Sequence, residues 1–170
     1  MFLDRDGVIN RVILRRGKPF SPGLVKDFKY LPRVGKAIEL LRGAGFKVIV
    51  VTNQPDVGAG RQSKRSVEAM NRRMRNNFHL DGVKVCYHTQ KDDCACRKPK
   101  PGMFLKAAKE HKINLKKSFM VGDRWRDIEA GKAAGCKTVW IKSDYKEKKV
   151  SRPDFTADSL REASVWICKN

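Results

Sequence analysis

The 170-residue sequence predicts an α/β fold, a parallel sheet between layers of helices, in one domain over residues 1–170. Three observations lead there. Short apolar runs alternate with helix-length patterns, as in βαβ units. Val48-Ile49-Val50-Val51 is an unbroken apolar run, which suits a strand buried on both faces. Asp4, Thr52, His88 and Asp123 all fall at or just after a predicted strand end, where parallel sheets gather their functional groups.

Each element has its own signal. Met1-Phe2-Leu3 reads as a short apolar strand. Asn10 to Tyr30 is basic and irregular, with Gly17, Pro19, Pro22 and Gly23 marking turns, and is expected to be a loop over the mouth of the site. Pro32 is expected to open a helix carrying Val34, Ala37, Ile38, Leu40 and Leu41, with Gly43 and Gly45 beyond its end. Lys47 to Thr52 is a strand. Ser63 to about Phe78 is a helix with Val67, Met70 and Met74 on one side. Gly82 to His88 reads as a strand, Gly102 to His111 as a helix, and Ser118 to Val121 as a strand entering Gly122-Asp123. A short helix through Ala134, a strand from Lys137 to Ile141 and a closing helix from Ser159 to Cys168 complete the chain.

Composition narrows the function. Hydrophobic residues make up 41%, and no apolar run approaches the ~20 residues of a membrane helix. The N-terminus does not follow the plan of a signal peptide, so any leader is expected to be very short or removed. The net charge of +20 would suit nucleic acid, but the basic residues are spread along the chain, in Arg15-Arg16, Arg72-Arg73, Lys116-Lys117 and Lys146 to Lys149. No basic segment is interleaved with aromatics. A specific nucleic-acid partner is therefore disfavoured, and small anionic molecules are favoured. The five cysteines are odd in number, and Cys86, Cys94 and Cys96 cluster around His88. That argues for metal ligation in a reducing cytoplasm over disulfides. Cys136 and Cys168 lie in apolar surroundings and are expected in the core.

Five segments carry chemistry. Asp4 and Asp6 are one residue apart at the end of the first strand, a spacing that can set one carboxylate against phosphorus and the other beside the leaving group. Thr52-Asn53-Gln54 offers a hydroxyl and amides to phosphate oxygens, or a polar turn. Cys86, His88, Cys94 and Cys96 make a closed tetrahedral zinc set, structural because no open position is evident. Arg97 and Lys98, before Pro99, can deliver cations to a phosphate from a rigid turn. Asp123 can ligate a hard cation, and Asp127, one helical turn on, can orient nearby groups; both could equally cap a helix.

Taken together, Asp4-Arg5-Asp6-Gly7, Thr52-Asn53-Gln54, Arg97-Lys98-Pro99 and Gly122-Asp123 with Asp127 resemble the signature motifs of the haloacid dehalogenase (HAD) superfamily. The Cys-x-His and Cys-x-Cys-Arg-Lys-Pro segments are similar to those of D,D-heptose 1,7-bisphosphate and histidinol-phosphate phosphatases. The resemblance runs from about Met1 to Ile141. It implies a Rossmann-like HAD fold with a minimal cap and a zinc-pinned loop. It also implies an Mg²⁺-dependent phosphomonoesterase acting on a small anionic sugar phosphate. Asp4 would be the nucleophile and Asp6 the general acid and base, starting protonated. Thr52 and Lys98 would hold the phosphoryl group, and Asp4, Asp6 (through its backbone carbonyl) and Asp123 the magnesium. Asn53, Gln54, Arg61, Arg97 and Arg124 would contact substrate, with the basic loops near Arg15 and Arg16 suited to a second anionic group. A cytoplasmic monomer is expected. Pro55-Asp56 and the short zinc loop depart from the heptose pattern where the sugar would sit. Histidinol phosphate, a 3′-phosphorylated polynucleotide end, or a non-catalytic basic binding role are the alternatives.

Overall fold

The computed structural model describes residues Met1–Asn170. Its centre is a six-stranded parallel sheet. In chain order the strands are β1 (Phe2–Leu3), β4 (Ile49–Asn53), β5 (Gly82–Cys86), β6 (Phe119–Gly122), β7 (Lys137–Ile141) and β8 (Phe155–Ala157). In space the order is β5-β4-β1-β6-β7-β8. The chain builds outward from β1 to one side through β4 and β5, then returns to β1 and builds the other side. That reversal leaves a crevice at the carboxyl ends of β1, β4 and β6.

Register brings the key residues level. Leu3 pairs with Val50 on one side and Val121 on the other, so Asp4, Thr52 and Asp123 leave the sheet along the same edge. The Asp4 N–H extends the ladder to the Val121 carbonyl at 2.9 Å. The side chains of β1 split between the two faces. Leu3 faces the core under α1 (Val34–Gly43), α3 (Lys64–Phe78) and α6 (Leu160–Ile167), with Ile38, Leu41, Met70 and Met74. Phe2 faces α4 (Gly102–His111) and α5 (Trp125–Ala133), with Ile49, Val51, Phe104 and Met120. Helix α1 also packs on α6.

The helix starts show why the sequence signals work and where they slip. Ser159 accepts the Glu162 N–H at 3.2 Å and caps α6. Pro32 does not open α1; Arg33, at φ 60°, intervenes as the capping residue, because the chain must turn sharply off the preceding loop. The stretch from Asn10 to Tyr30 is not a featureless loop. It holds an antiparallel hairpin, β2 (Ile13–Arg15) and β3 (Lys18–Phe20), turned at Arg16 and Gly17, both at positive φ. Its alternation is masked by basic residues because most of the hairpin faces solvent. A one-turn helix, α2 (Pro55–Gly58), follows β4. Strand β8 has no apolar run of its own; it forms by pairing with β7. Cys136 is in the core as expected, but Cys168 is exposed, because it follows the last buried residue of α6, Ile167.

Phe104 is fully buried with its ring 4.9 Å from that of Phe2, directly beneath β1. Phe104→Ala should cost about 3–5 kcal/mol of stability. Urea unfolding would read this as a lower midpoint with little change in slope.

Candidate active site

The strand ends deliver their side chains into a cavity of about 440 Å³. Asp4, Asp6, Asn53, Lys98 and Asp127 form its floor; Lys18, Pro19 and Phe20 of the hairpin form one wall. Lys98 is the pivot. Its ammonium has three protons and finds three acceptors: Asp4 Oδ1 at 2.6 Å, Asp127 Oδ1 at 2.6 Å and the Val51 carbonyl at 2.8 Å. Lys98 and both acids are nearly inaccessible to solvent. Burial alone would lower the Lys98 pKa, but the charges of Asp127 and Asp4 outweigh it, and the net shift is upward.

Asp127 does two jobs at once. Its Oδ1 holds Lys98 while Oδ2 accepts the Arg124 N–H at 3.0 Å and caps α5. A Cβ on Gly122 would fall 2.1 Å from the Asp127 Cβ, so the strand-to-helix turn requires glycine there. Asn53 positions Lys98 through its backbone: Lys98 N–H donates to Asn53 Oδ1 and Asn53 Nδ2 donates to the Lys98 carbonyl, each at 3.1 Å. The intervening Lys98–Pro99 peptide is cis.

Asp4, Asp123 and Asp127 present carboxylate oxygens within 4.8 Å of one another. Against three acids stands one ammonium, so two negative charges are uncompensated. Burial first, then Asp127 and Asp6, push Asp4 up to about 7 against the pull of Lys98. Burial, Asp127 and Asp4 hold Asp123 well above the ordinary range. Asp123 Oδ2 accepts the Tyr145 hydroxyl at 2.7 Å, and its backbone carbonyl accepts Trp140 Nε1 and Ser143 Oγ. Its Oδ1 is buried without a partner. An oxygen-rich, over-negative, partly unsatisfied cluster suits a hard divalent cation.

Asp6 departs from expectation. Proximity to Asp4 does not keep it protonated. Burial works to raise its pKa, but the Arg5 guanidinium, 3.0 Å away, and hydrogen bonds from Asn10, Ser21 and Gln54 outweigh it, and Asp6 is held below the usual carboxylate range. Arg5 is itself fully buried, tied to Asn71 of α3 at 2.9 Å and set 5.5 Å over the Phe28 ring. Gly7, at φ 86°, follows; a Cβ there would lie 1.8 Å from Asp123 Oδ2.

The expected substrate residues are sorted by the fold. Gln54 and Thr52 are each 1% exposed behind the cavity wall, with the Gln54 amide donating to Asp6 and to Thr52 Oγ1. Arg61, Arg97 and Arg124 do line the cavity. Arg61 pairs with Asp56, Arg97 donates to the His88 carbonyl, and Arg124 makes a two-pronged pair with Glu147. Arg15 and Arg16 are not in its walls; Lys18, Arg126 and Lys146 are. Arg5, Asn10, Ser21, Asn71, Tyr145 and Glu147 gave no signal as site residues in the sequence. Their roles depend on contacts as distant as sixty-six residues along the chain.

Beside the cavity, Cys86, His88, Cys94 and Cys96 converge. Cys86 Sγ lies 3.7 Å from His88 Nδ1 and 3.6 Å from Cys94 Sγ. Cys96 Sγ lies 3.3 Å from His88 Nδ1 and 3.4 Å from Cys94 Sγ. The edges of a zinc tetrahedron of thiolates and imidazole are about 3.5–3.8 Å, from bond lengths of about 2.3 and 2.0 Å. The loop is braced within itself by Thr89 and Asp92, and Gly102 donates to the Ala95 carbonyl.

A parallel sheet with this carboxylate-and-lysine crevice defines a HAD-like phosphatase, and a HAD-hydrolase-like family model matches residues 95–163. Curated relatives narrow the class. The chain is 33% identical, over 100% of its own length and 91% of the relative's, to a D-glycero-beta-D-manno-heptose-1,7-bisphosphate 7-phosphatase of Helicobacter pylori. It is 36% identical, over 99% of its length and 96% of the relative's, to the enzyme of that name from Vibrio cholerae. A relative from Mycobacterium bovis, 36% identical over 98% of this chain and 90% of its own, bears the alpha-anomer name. The crystal structure of a D,D-heptose 1,7-bisphosphate phosphatase from B. bronchiseptica, complexed with magnesium and phosphate, superposes with a TM-score of 0.86 at 25% identity, covering 99% of this chain and 97% of that one. The chain belongs to the family of heptose-1,7-bisphosphate 7-phosphatases within the HAD-like hydrolases.

Arg5→Met should leave the part-buried Asp6 without its cation and cost about 1.5–3 kcal/mol at neutral pH. Because Asp6 titrates lower in the fold than when unfolded, the Arg5 contribution is present above the ordinary aspartate value of 3.8 and is lost as pH falls through the depressed one. Urea melts of the two proteins should differ most near pH 7 and converge on acidification.

Proposed function

We propose that this chain removes the C7 phosphate of D-glycero-D-manno-heptose 1,7-bisphosphate in a magnesium-dependent, two-step hydrolysis through an aspartyl-phosphate on Asp4. The observation that carries it is the buried trio of Asp4, Asp123 and Asp127 around Lys98. Asp4 and Asp123, with the backbone carbonyl of Asp6, are the groups that would hold Mg²⁺. When bound, the ion would neutralise the crowded carboxylates and the phosphoryl oxygens.

In this mechanism Asp4, held by Lys98, attacks phosphorus and the ester oxygen leaves with a proton from Asp6. Asp6 is a carboxylate in the ligand-free chain, so that proton must be taken up as the phosphate dianion enters and its charge raises the Asp6 pKa. Asp6 then draws a proton from water as water cleaves the aspartyl-phosphate. Asn10, Ser21, Gln54 and Arg5 keep it in place throughout. The charge of Lys98 lies beside the phosphoryl group, and the Thr52 hydroxyl would orient it. Tyr145 holds one oxygen of Asp123 and leaves the other for the metal. Arg97 and Arg124 line the cavity and would face the substrate.

The four-ligand loop from Cys86 to Cys96 would take structural zinc and aim Arg97 and Lys98 at the cavity. The protein would work as a single-domain monomer on a small sugar phosphate. No helix is long and apolar enough to cross a membrane.

Phosphate release with Mg²⁺ on both anomers of the heptose bisphosphate, histidinol phosphate and a 3′-phosphorylated oligonucleotide tests the reading. A preference for one heptose anomer is expected, with a loss of roughly 10³-fold or more in Asp4→Asn. Turnover of histidinol phosphate or the oligonucleotide in its place would overturn the heptose assignment. Separately, zinc should be found at one ion per chain by elemental analysis. Its removal with a strong chelator should lower the melting temperature by roughly 5 °C or more, restored by added Zn²⁺.

A further inference from the structure

We propose that Arg126, with Lys18 and Lys146, is the receptor for a second anionic group on the substrate, and that it makes the cavity selective for doubly anionic phosphate esters. The inference rests on the phosphatase assignment above and adds the residues that select the far end of the substrate.

The cavity holds more cations than its carboxylates can satisfy, and they divide cleanly. Lys98 is saturated by Asp4, Asp127 and the Val51 carbonyl. Arg61 has Asp56, and Arg124 has both oxygens of Glu147. Arg97 is engaged by the His88 carbonyl. Arg126, Lys18 and Lys146 line the same cavity and have no side-chain hydrogen bond or ion pair.

Arg126 is the most constrained of the three. It projects from the first turn of α5, with its guanidinium carbon 4.9 Å from the centre of the Trp125 ring, and Lys148 lies 4.5 Å from the same ring. Its Nε is buried without a partner. Burial lowers its basicity, and the like charges of Arg124 and Arg97 lower it further. A guanidinium held in place, half out of water, against two other arginines is costly unless an anion completes it. A phosphate or carboxylate does so well, because it can accept two N–H bonds in the plane of the guanidinium.

The two lysines come from segments that the fold joins to each other and to the start of α5, where Glu147 pairs with Arg124 and Lys148 lies over the Trp125 ring. The Lys146 N–H donates to the Gly17 carbonyl at 2.9 Å, which ties the segment after β7 to the hairpin turn. The Lys146 side chain packs on Gly17, where a Cβ would approach its methylenes to 2.8 Å. Lys18 follows in the hairpin. Two ammonium groups from neighbouring segments face one cavity with no acid assigned to either. The anion that would balance them enters at the mouth, away from Asp4 on the floor.

The test is the ratio of kcat/KM for heptose 1,7-bisphosphate to that for heptose 7-phosphate, in wild type and in Arg126→Met. The ratio should fall about tenfold or more, as expected for loss of a charge-assisted phosphate contact. Arg126→Lys should recover part of it, and Lys146→Met should lower it in the same direction, which keeps the idea testable if Arg126→Met folds poorly. An unchanged ratio in all three variants would overturn the assignment of Arg126. If the wild type turns over neither heptose ester, the heptose reading fails by itself. The same ratio on fructose 1,6-bisphosphate against fructose 6-phosphate then decides Arg126.

Discussion

The ammonium of Lys98 is the contact on which the rest of the site depends. It is buried, fully hydrogen-bonded and shared by two acids, Asp4 at the end of β1 and Asp127 in the first turn of α5. A buried charge persists only where its partners are fixed, since each one lost leaves an uncompensated ion. The surroundings are therefore built for rigidity. Asn53 clamps the backbone of Lys98 from both sides, Asp127 is anchored by capping α5, and Asp4 is an extension of the central strand. The cluster of Cys86, His88, Cys94 and Cys96 converges next to Arg97 in sequence, in the loop that brings Lys98 across the sheet.

A second constraint is electrostatic. The floor carries more negative charge than Lys98 can balance, while the walls carry more positive charge than their acids can. A phosphorylated ligand with a divalent cation would answer both at once, the metal on the floor and the anion at the walls. The large overall charge of the chain thus has a local meaning at Lys18, Arg126 and Lys146, though most of the basic residues lie elsewhere on the surface. The carboxylates of the site differ sharply in environment. Asp4 and Asp123 are pushed up by burial among like charges, and Asp6 is held down by Arg5 and three neutral donors. Two acids one residue apart are thereby shifted in opposite directions by their surroundings.

Much of this was legible in the sequence. The run at Val48 to Val51 could be buried on both faces only in a parallel sheet, and the helices at Lys64 and Gly102 have side chains at helical spacing. The four-ligand cluster was visible because all its members lie within eleven residues. Local signals failed where pairing is non-local. Strand β8 exists because β7 offers it an edge. The β2–β3 hairpin shows no apolar alternation because its surroundings are solvent and the cavity. Gln54 read as a substrate contact because its neighbours do; only the fold reveals that it points inward to Asp6.

The sequence by itself determined the class of fold, five of the six strands of the sheet and the residue types at their ends. Periodicity and apolar runs are properties of contiguous residues, and so are the spacings of Asp4 and Asp6 or Cys94 and Cys96. Tertiary structure decided what those residues feel. The charge state of Asp6 is set by a buried arginine whose own orientation depends on Asn71, far along the chain. Whether a cavity arginine is neutralised or left open to an anion depends on which carboxylate the fold brings within reach: Glu147 meets Arg124, and none meets Arg126. Electrostatic energy in a buried site is governed by distances of a few ångströms, and those distances are fixed by packing, not by separation along the chain.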